Sequence, residues 1–185
     1  MDRDLVIQAR AGDHDAFARL AAGSIGRLNA VARLILHDAA QAEDAVQEAF
    51  LDAWRGLRSL REPDRFDAWL NRLLIRACSD ARAVARRRRV VELPLLPTDD
   101  VPTRSTESVV ADADQLERGL RQLTIDQRTV LVLTFYLDLS LADAAATLGI
   151  PVGTMKSRLN RSIAALRAVL DAEARRSGWP MERPA

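Results

Sequence analysis

Lys156, Ser157, Asn160 and Arg161 are spaced so that a helix would set them on one arc, with Gly153 and Thr154 just ahead of them. Small residues there would let a backbone approach a duplex, and the polar and cationic side chains that follow would reach base edges and phosphates. Lys156 and Arg158 stand at the two edges of that arc, and the opposite arc is apolar, formed by Met155, Leu159, Ile163, Leu166 and Leu170. The stretch in front carries matching punctuation. Ser140 and Asp143 have capping-box spacing, Gly149 can take the left-handed conformation that ends a helix, and Pro151 suits the first turn of the next one. A capped short helix, a turn and a second, basic helix read as a helix-turn-helix whose ligand is duplex DNA. The plainer alternative is an amphipathic helix with a solvated polar face.

Two segments nearer the N-terminus carry further candidates. Between Asp38 and Leu60, a helix would bury Val46, Ala49, Phe50, Ala53 and Leu57 and turn Asp44, Gln47, Glu48, Leu51 and Arg55 outward. A leucine exposed among carboxylates and an amide suggests a surface for a basic protein partner rather than for DNA. From Asp67 to about Arg89, Phe66, Trp69, Leu70, Leu73 and Ala77 form a core stripe, with Arg72, Ser79, Arg82 and Arg86 on the far side. Cations suit a helix C-terminus whatever the function, but the run Arg86-Arg87-Arg88-Arg89 exceeds what capping needs and points to phosphate.

The elements that must position these faces are helical throughout. Helices are expected over Asp2–Ala11 and Asp13–Leu36, broken at Gly12-Asp13, then from Asp38 to about Leu60. A loop at Arg61–Asp64 precedes the arginine-ended helix. Pro94, Pro97 and Pro102, among acidic and hydroxyl residues, make 91–112 a linker. Helices resume near Ala113, Thr124 and Gln127 form another capping box before the apolar run Val130–Tyr136, and residues 178–185 are a tail. The expected fold is therefore all-α: a domain over 1–90, a flexible linker over 91–112 and a helix-turn-helix domain over 113–177.

Composition fits and excludes. The chain has 185 residues with 48% hydrophobic but only 4% aromatic side chains, as in small Ala- and Leu-rich bundles. Net charge is +1, yet its distribution is uneven: residues 1–90 carry 16 basic against 13 acidic groups, 91–112 one against five, and 113–185 ten against eight. One cysteine, Cys78, excludes an internal disulfide, and with two separated histidines it offers no metal site. No signal peptide or bilayer-length apolar run is read, so a cytoplasmic protein without stable membrane insertion is expected. No Gly-rich phosphate loop or nucleophile–base pair suggests catalysis, a cofactor or a small-molecule substrate.

Together the pieces resemble the extracytoplasmic-function group of bacterial RNA polymerase sigma factors, in the sigma-70 family. The match runs through Ala42-Glu43-Asp44-Ala45-Val46-Gln47-Glu48-Ala49-Phe50-Leu51-Asp52-Ala53-Trp54 and Arg65-Phe66-Asp67-Ala68-Trp69-Leu70, which are similar to sigma region 2. It continues with Leu123–Leu131 and Leu141–Arg167, similar to region 4. The resemblance implies that Asp44, Gln47, Glu48 and Leu51 dock on core RNA polymerase. It implies that Arg58, Arg61, Trp69, Arg72, Arg76, Arg82 and Arg86 capture and melt the −10 element of promoter DNA. Gly153, Thr154, Lys156, Ser157, Asn160 and Arg161 would read the −35 element. It further implies a cognate anti-sigma factor, and a protein that performs no chemistry of its own. Where the family often has Arg-Asn, this chain reads Ile75-Arg76, and Asn160 stands where an aromatic or histidine is frequent. The competing reading is a stand-alone helix-turn-helix regulator with an N-terminal sensing or dimerisation domain.

Overall fold

The computed structural model describes the backbone of residues 2–91 and 109–177, and their side chains except at 82–91, 109–114, 174, 176 and 177. Most of the expected linker, the side chains of Arg82 and Arg86, and the tail at 178–185 lie outside the described residues. Among the described residues every regular element is helical.

Four helices build the N-terminal body: α1 (Arg3–Arg10), α2 (His14–Leu36), α3 (Ala39–Gly56) and α4 (Phe66–Val91). Their starts are set by aspartates. Asp2, Asp13 and Asp38 each accept a hydrogen bond from a backbone N–H of the following first turn, at 3.0, 3.0 and 2.9 Å, which satisfies a donor the helix cannot. Gly12 makes the break between α1 and α2 at φ +103°, a backbone region open to glycine. Helix α3 stops at Gly56, four residues short of the expected Leu60, because the chain tightens into a 3-10 turn over Leu57–Ser59. A second 3-10 turn, Pro63–Arg65, replaces the expected loop and leads into α4 one residue before Asp67.

Leu20, Leu28, Val31, Ile35, Ala42, Ala49, Ala53, Phe66, Leu70 and Leu74 are all 1% exposed or less and form the centre of this body. Truncating a fully buried phenylalanine such as Phe66 costs about 3–5 kcal/mol. A polar clamp fixes α4 against α2: Arg27 donates to Asp67 at 2.8 Å and to the buried Asn71 at 2.6 Å.

The C-terminal body comprises α5 (Val109–Arg121), α6 (Ile125–Leu131), α7 (Leu141–Leu148) and α8 (Val152–Ser177). Helix α5 begins four residues before Ala113. Thr124 and Gln127 form the reciprocal capping box expected at α6, each side chain taking the other's backbone N–H. The apolar run follows it directly. Helix α6 widens into a π-helical turn over Val132–Tyr136, burying Val132 and Leu133 but leaving Phe135 and Tyr136 66% and 51% exposed.

The two bodies touch. Helix α4 packs on α7, and α2 packs on α6 and the π turn, so buried side chains of both bodies join one apolar cluster. At this seam α2 ends on His37, left-handed at φ 52°.

Candidate nucleic-acid and protein-docking faces

The helix-turn-helix assembles as its punctuation implies. Ser140 caps α7 by accepting from the Asp143 N–H at 3.1 Å. Its hydroxyl donates to the Asp143 carboxylate at 2.6 Å, so that carboxylate is held by the cap's side chain rather than by its backbone. Gly149 ends α7 at φ 63°, its N–H returning to Ala145 and Ala146 carbonyls. Helix α8 then starts one residue after Pro151 and seats Met155, fully buried, on the rest of the body.

That anchor turns the expected arc outward. Gly153, Lys156, Ser157, Asn160 and Arg161 are exposed and Thr154 is half-buried. Two contacts order the arc: the Ser157 hydroxyl donates to the Thr154 carbonyl at 2.9 Å, and Arg161 Nε donates to the Ser157 carbonyl at 3.2 Å. The second helps hold Arg161 in place. Arg158, left at the edge of the arc by the sequence, shares a polar recess of about 300 Å³ with Arg161, Asp126, Gln127 and the buried Ser162. Arg158 thus joins the cationic surface at whose edge periodicity left it, and the recess itself is not readable from periodicity because its other wall comes from α6. The recess sets the two arginines beside the Asp126 carboxylate.

On α3, Asp44, Gln47 and Glu48 are exposed and Leu51 is 49% exposed, over a face whose opposite side, Ala42, Ala45, Val46, Ala49 and Ala53, is buried. Arg55 approaches Glu48 at 3.9 Å and Asp52 at 3.7 Å. These exposed pairs are long and solvent-screened, worth well under about 1 kcal/mol, so the face stays acidic.

The residues expected to handle opened DNA are only partly gathered. Trp69, Arg72 and Arg76 share one face of α4 by register, with both arginines exposed and the indole half-buried. The indole lies over the backbone of Gly56, where a Cβ would meet it at 3.2 Å, and sits 6.0 Å from the Phe66 ring. Trp69 therefore has one edge in the core and fixes the end of α3. Arg61 is exposed in the connecting segment, while Arg58 reaches back towards Gly12. Ile75 is buried, leaving Arg76 as the outward member of that pair.

Among the described residues three titratable groups have shifted pKa values. Burial, then the charges of Arg128 and Arg121, lowers His37 from 6.5 to about 4. Burial pushes the Cys78 thiol up to about 12, consistent with a small apolar filler, and lowers Arg128 to about 10. Among the described residues no group of His, Cys, Asp or Glu side chains could hold a metal, and no helix is long and apolar enough to cross a membrane.

Comparison with known proteins agrees with this geometry. The family profile described as Sigma-70 region 2 matches residues 24–89, and that described as Sigma-70, region 4 matches 113–166. The chain is 35% identical to the ECF RNA polymerase sigma factor SigM of Mycobacterium tuberculosis, over 91% of this chain and 84% of that one. It is 33% identical to the RNA polymerase sigma factor CnrH of Cupriavidus metallidurans, over 94% and 96% of the two. Among solved structures it superposes on CnrH in complex with the cytosolic domain of CnrY, with a TM-score of 0.64 and 31% identity over 92% and 97% of the two chains. It also superposes on RpoE in complex with the anti-sigma factor NepR from Bartonella quintana, with a TM-score of 0.68 and 27% identity over 84% and 96%. A region 2 match in the N-terminal body leaves no support for a stand-alone regulator. The chain belongs to the extracytoplasmic-function RNA polymerase sigma factors of the sigma-70 family.

Proposed function

We propose that the two outward faces divide the work of a sigma factor between them. The acidic face of α3, with Asp44, Gln47, Glu48 and Leu51, docks on core RNA polymerase. Gly153, Thr154, Lys156, Ser157, Asn160 and Arg161 enter the major groove of the −35 element. Arg58, Arg61, Trp69, Arg72 and Arg76, continued by Arg82 and Arg86, form the path for the opened −10 strand. Unstacking a base costs on the order of a few kcal/mol, so a cationic path with an aromatic edge is the chemistry that offsets it.

The observation that carries this reading is the pairing of two exposed faces on one chain, one acidic around a leucine and one polar-cationic at the start of a helix-turn-helix. The protein performs no bond chemistry, works in the cytoplasm, and is held in check by an anti-sigma protein, as related sigma factors are seen in complexes with CnrY and NepR. Transcription in vitro with purified core polymerase on a genomic template library tests it. The expected result is discrete start sites that share two upstream elements and need this protein. Transcripts that are the same with and without it would sink the proposal.

A further inference from the structure

The chain holds three tryptophans and two histidines, and one of each is stacked near the break between α1 and α2. The His14 ring lies 4.5 Å from the Trp54 indole, tilted by 38°, and the Phe17 ring lies 5.0 Å from the same indole at 58°. His14 and Phe17 are three residues apart on α2, so both rings leave the same side and meet one partner from α3. Asp13 caps that turn, its carboxylate accepting from the Ala16 N–H at 3.0 Å, which fixes the backbone that carries His14. Burial is graded along the row. Phe17 packs on the core, Trp54 is half-buried and His14 is exposed. The row therefore runs from the core to the surface and ends in a planar ring open to solvent.

Charge and position narrow what that ring can hold. The exposed Arg58 lies at the same break, its Nη2 3.9 Å from where a Cβ on Gly12 would stand, and it forms no ion pair among the described residues. Arg3 meets Asp64 at 3.4 Å, which ties α1 to the 3-10 turn at Pro63–Arg65. The end of α3 thus carries two indoles, Trp54 stacked on His14 and Trp69 over Gly56, and Arg58 and Arg61 follow from that same end. An open ring beside a free guanidinium suits a nucleobase and its phosphate, because every base has a π-face and the strand supplies the anion. We infer that the His14 ring, backed by Trp54 and flanked by Arg58, is a stacking site for one unpaired nucleobase, separate from the residues on α4. This deepens the strand-path reading and rests on it for the nature of the ligand.

Fluorescence anisotropy of labelled single strands titrated with the full-length protein tests it. The probes are an oligodeoxyadenylate of about 12 nucleotides and the same backbone with its bases removed. His14→Ala should bind the adenylate strand about tenfold more weakly and the abasic strand as the wild type does, since one stacked base is lost and no charge. His14→Phe keeps a planar ring and should restore the adenylate affinity. Arg58→Ala should weaken both strands alike, as a phosphate contact does. His14 is exposed, so these variants should melt with the wild type, whereas Trp54 is half-buried and its truncation would confuse stacking with folding. Unchanged adenylate binding by His14→Ala, an equal fall on both strands, or a wild type that does not prefer the adenylate strand overturns the inference. Arg72→Ala combined with Arg76→Ala separates it from the strand-path reading. If that pair leaves both strands bound as before while His14→Ala still costs adenylate affinity, the path over α4 falls and the stacking site stands; the reverse pattern removes the site and keeps the path.

Discussion

Helices α3 and α8 share a plan, apolar on one face and outward on the other, yet they are anchored differently. The inner face of α3 is closed along its length: Ala42, Ala45, Val46, Ala49 and Ala53 are all 3% exposed or less. Among the described residues of α8 only Met155 and Ser162 are buried, while Leu159, Ile163, Leu166 and Leu170 remain partly open. The difference follows from what each presents. A protein-docking face extends over several turns, so the whole helix must be a fixed platform. A groove reader needs accuracy over its first two turns, and those are the turns that Met155 and the capped α7 hold rigid.

If the faces are independent, damage to one must spare the other. The largest effect is expected from Asp44→Ala combined with Glu48→Ala, which should weaken core-polymerase binding on the order of 100-fold while leaving −35 duplex binding unchanged. Both sites are exposed, so melting temperature should barely move. Titration with fluorescently labelled core polymerase and with labelled duplex measures the two affinities separately; a parallel fall in both would break the comparison.

Arg161→Ala comes next. Loss of a groove contact held in place by the Ser157 carbonyl should cost about 1–3 kcal/mol of −35 binding and relax sequence choice at one position. Lys156→Ala should act more weakly and evenly across sequences, reducing the salt slope of binding by about 1, as a phosphate contact does. If Lys156→Ala changed sequence choice and Arg161→Ala did not, their roles would be reversed.

Periodicity and caps made most of this geometry legible. Ser140, Gly149 and Pro151 defined the turn because each has a local conformational reason to be there, and stripe angles separated Met155 from Lys156. The α3 face was readable for the same reason. What escaped depends on neighbours distant in sequence. Arg158 shares a recess with Asp126 only because α8 lies against α6, and Arg27 finds Asp67 and Asn71 across 40 and 44 residues respectively. Nothing in the apolar run Val130–Tyr136 marks the π turn, which leaves Phe135 and Tyr136 exposed. Arg128 carries no periodic mark at all; its burial appears only once α2 lies against α6.

The smallest expected effect lies at the seam, where the two anchoring schemes meet. His37 ends α2 in a left-handed conformation, with its Nε2 buried and without a partner among the described residues. Burial lowers its pKa to about 4, with Arg128 and Arg121 reinforcing the fall and Glu117 opposing it. An unfolded chain therefore binds the proton more readily between about pH 6.5 and 4 than the folded one does. The stability this provides is fully present above about 6.5 and is lost as pH drops through that window towards 4. Because the side chain is only half-buried, the loss is expected to be about 1 kcal/mol rather than the whole shift converted to energy. His37→Asn removes the titration and keeps a residue that tolerates positive φ. Thermal melts at pH 7 and pH 5 should show the variant losing less stability than the wild type. Equal losses would place the imidazole in water, and the seam would then be looser than the α3 platform and the α8 anchor on either side of it.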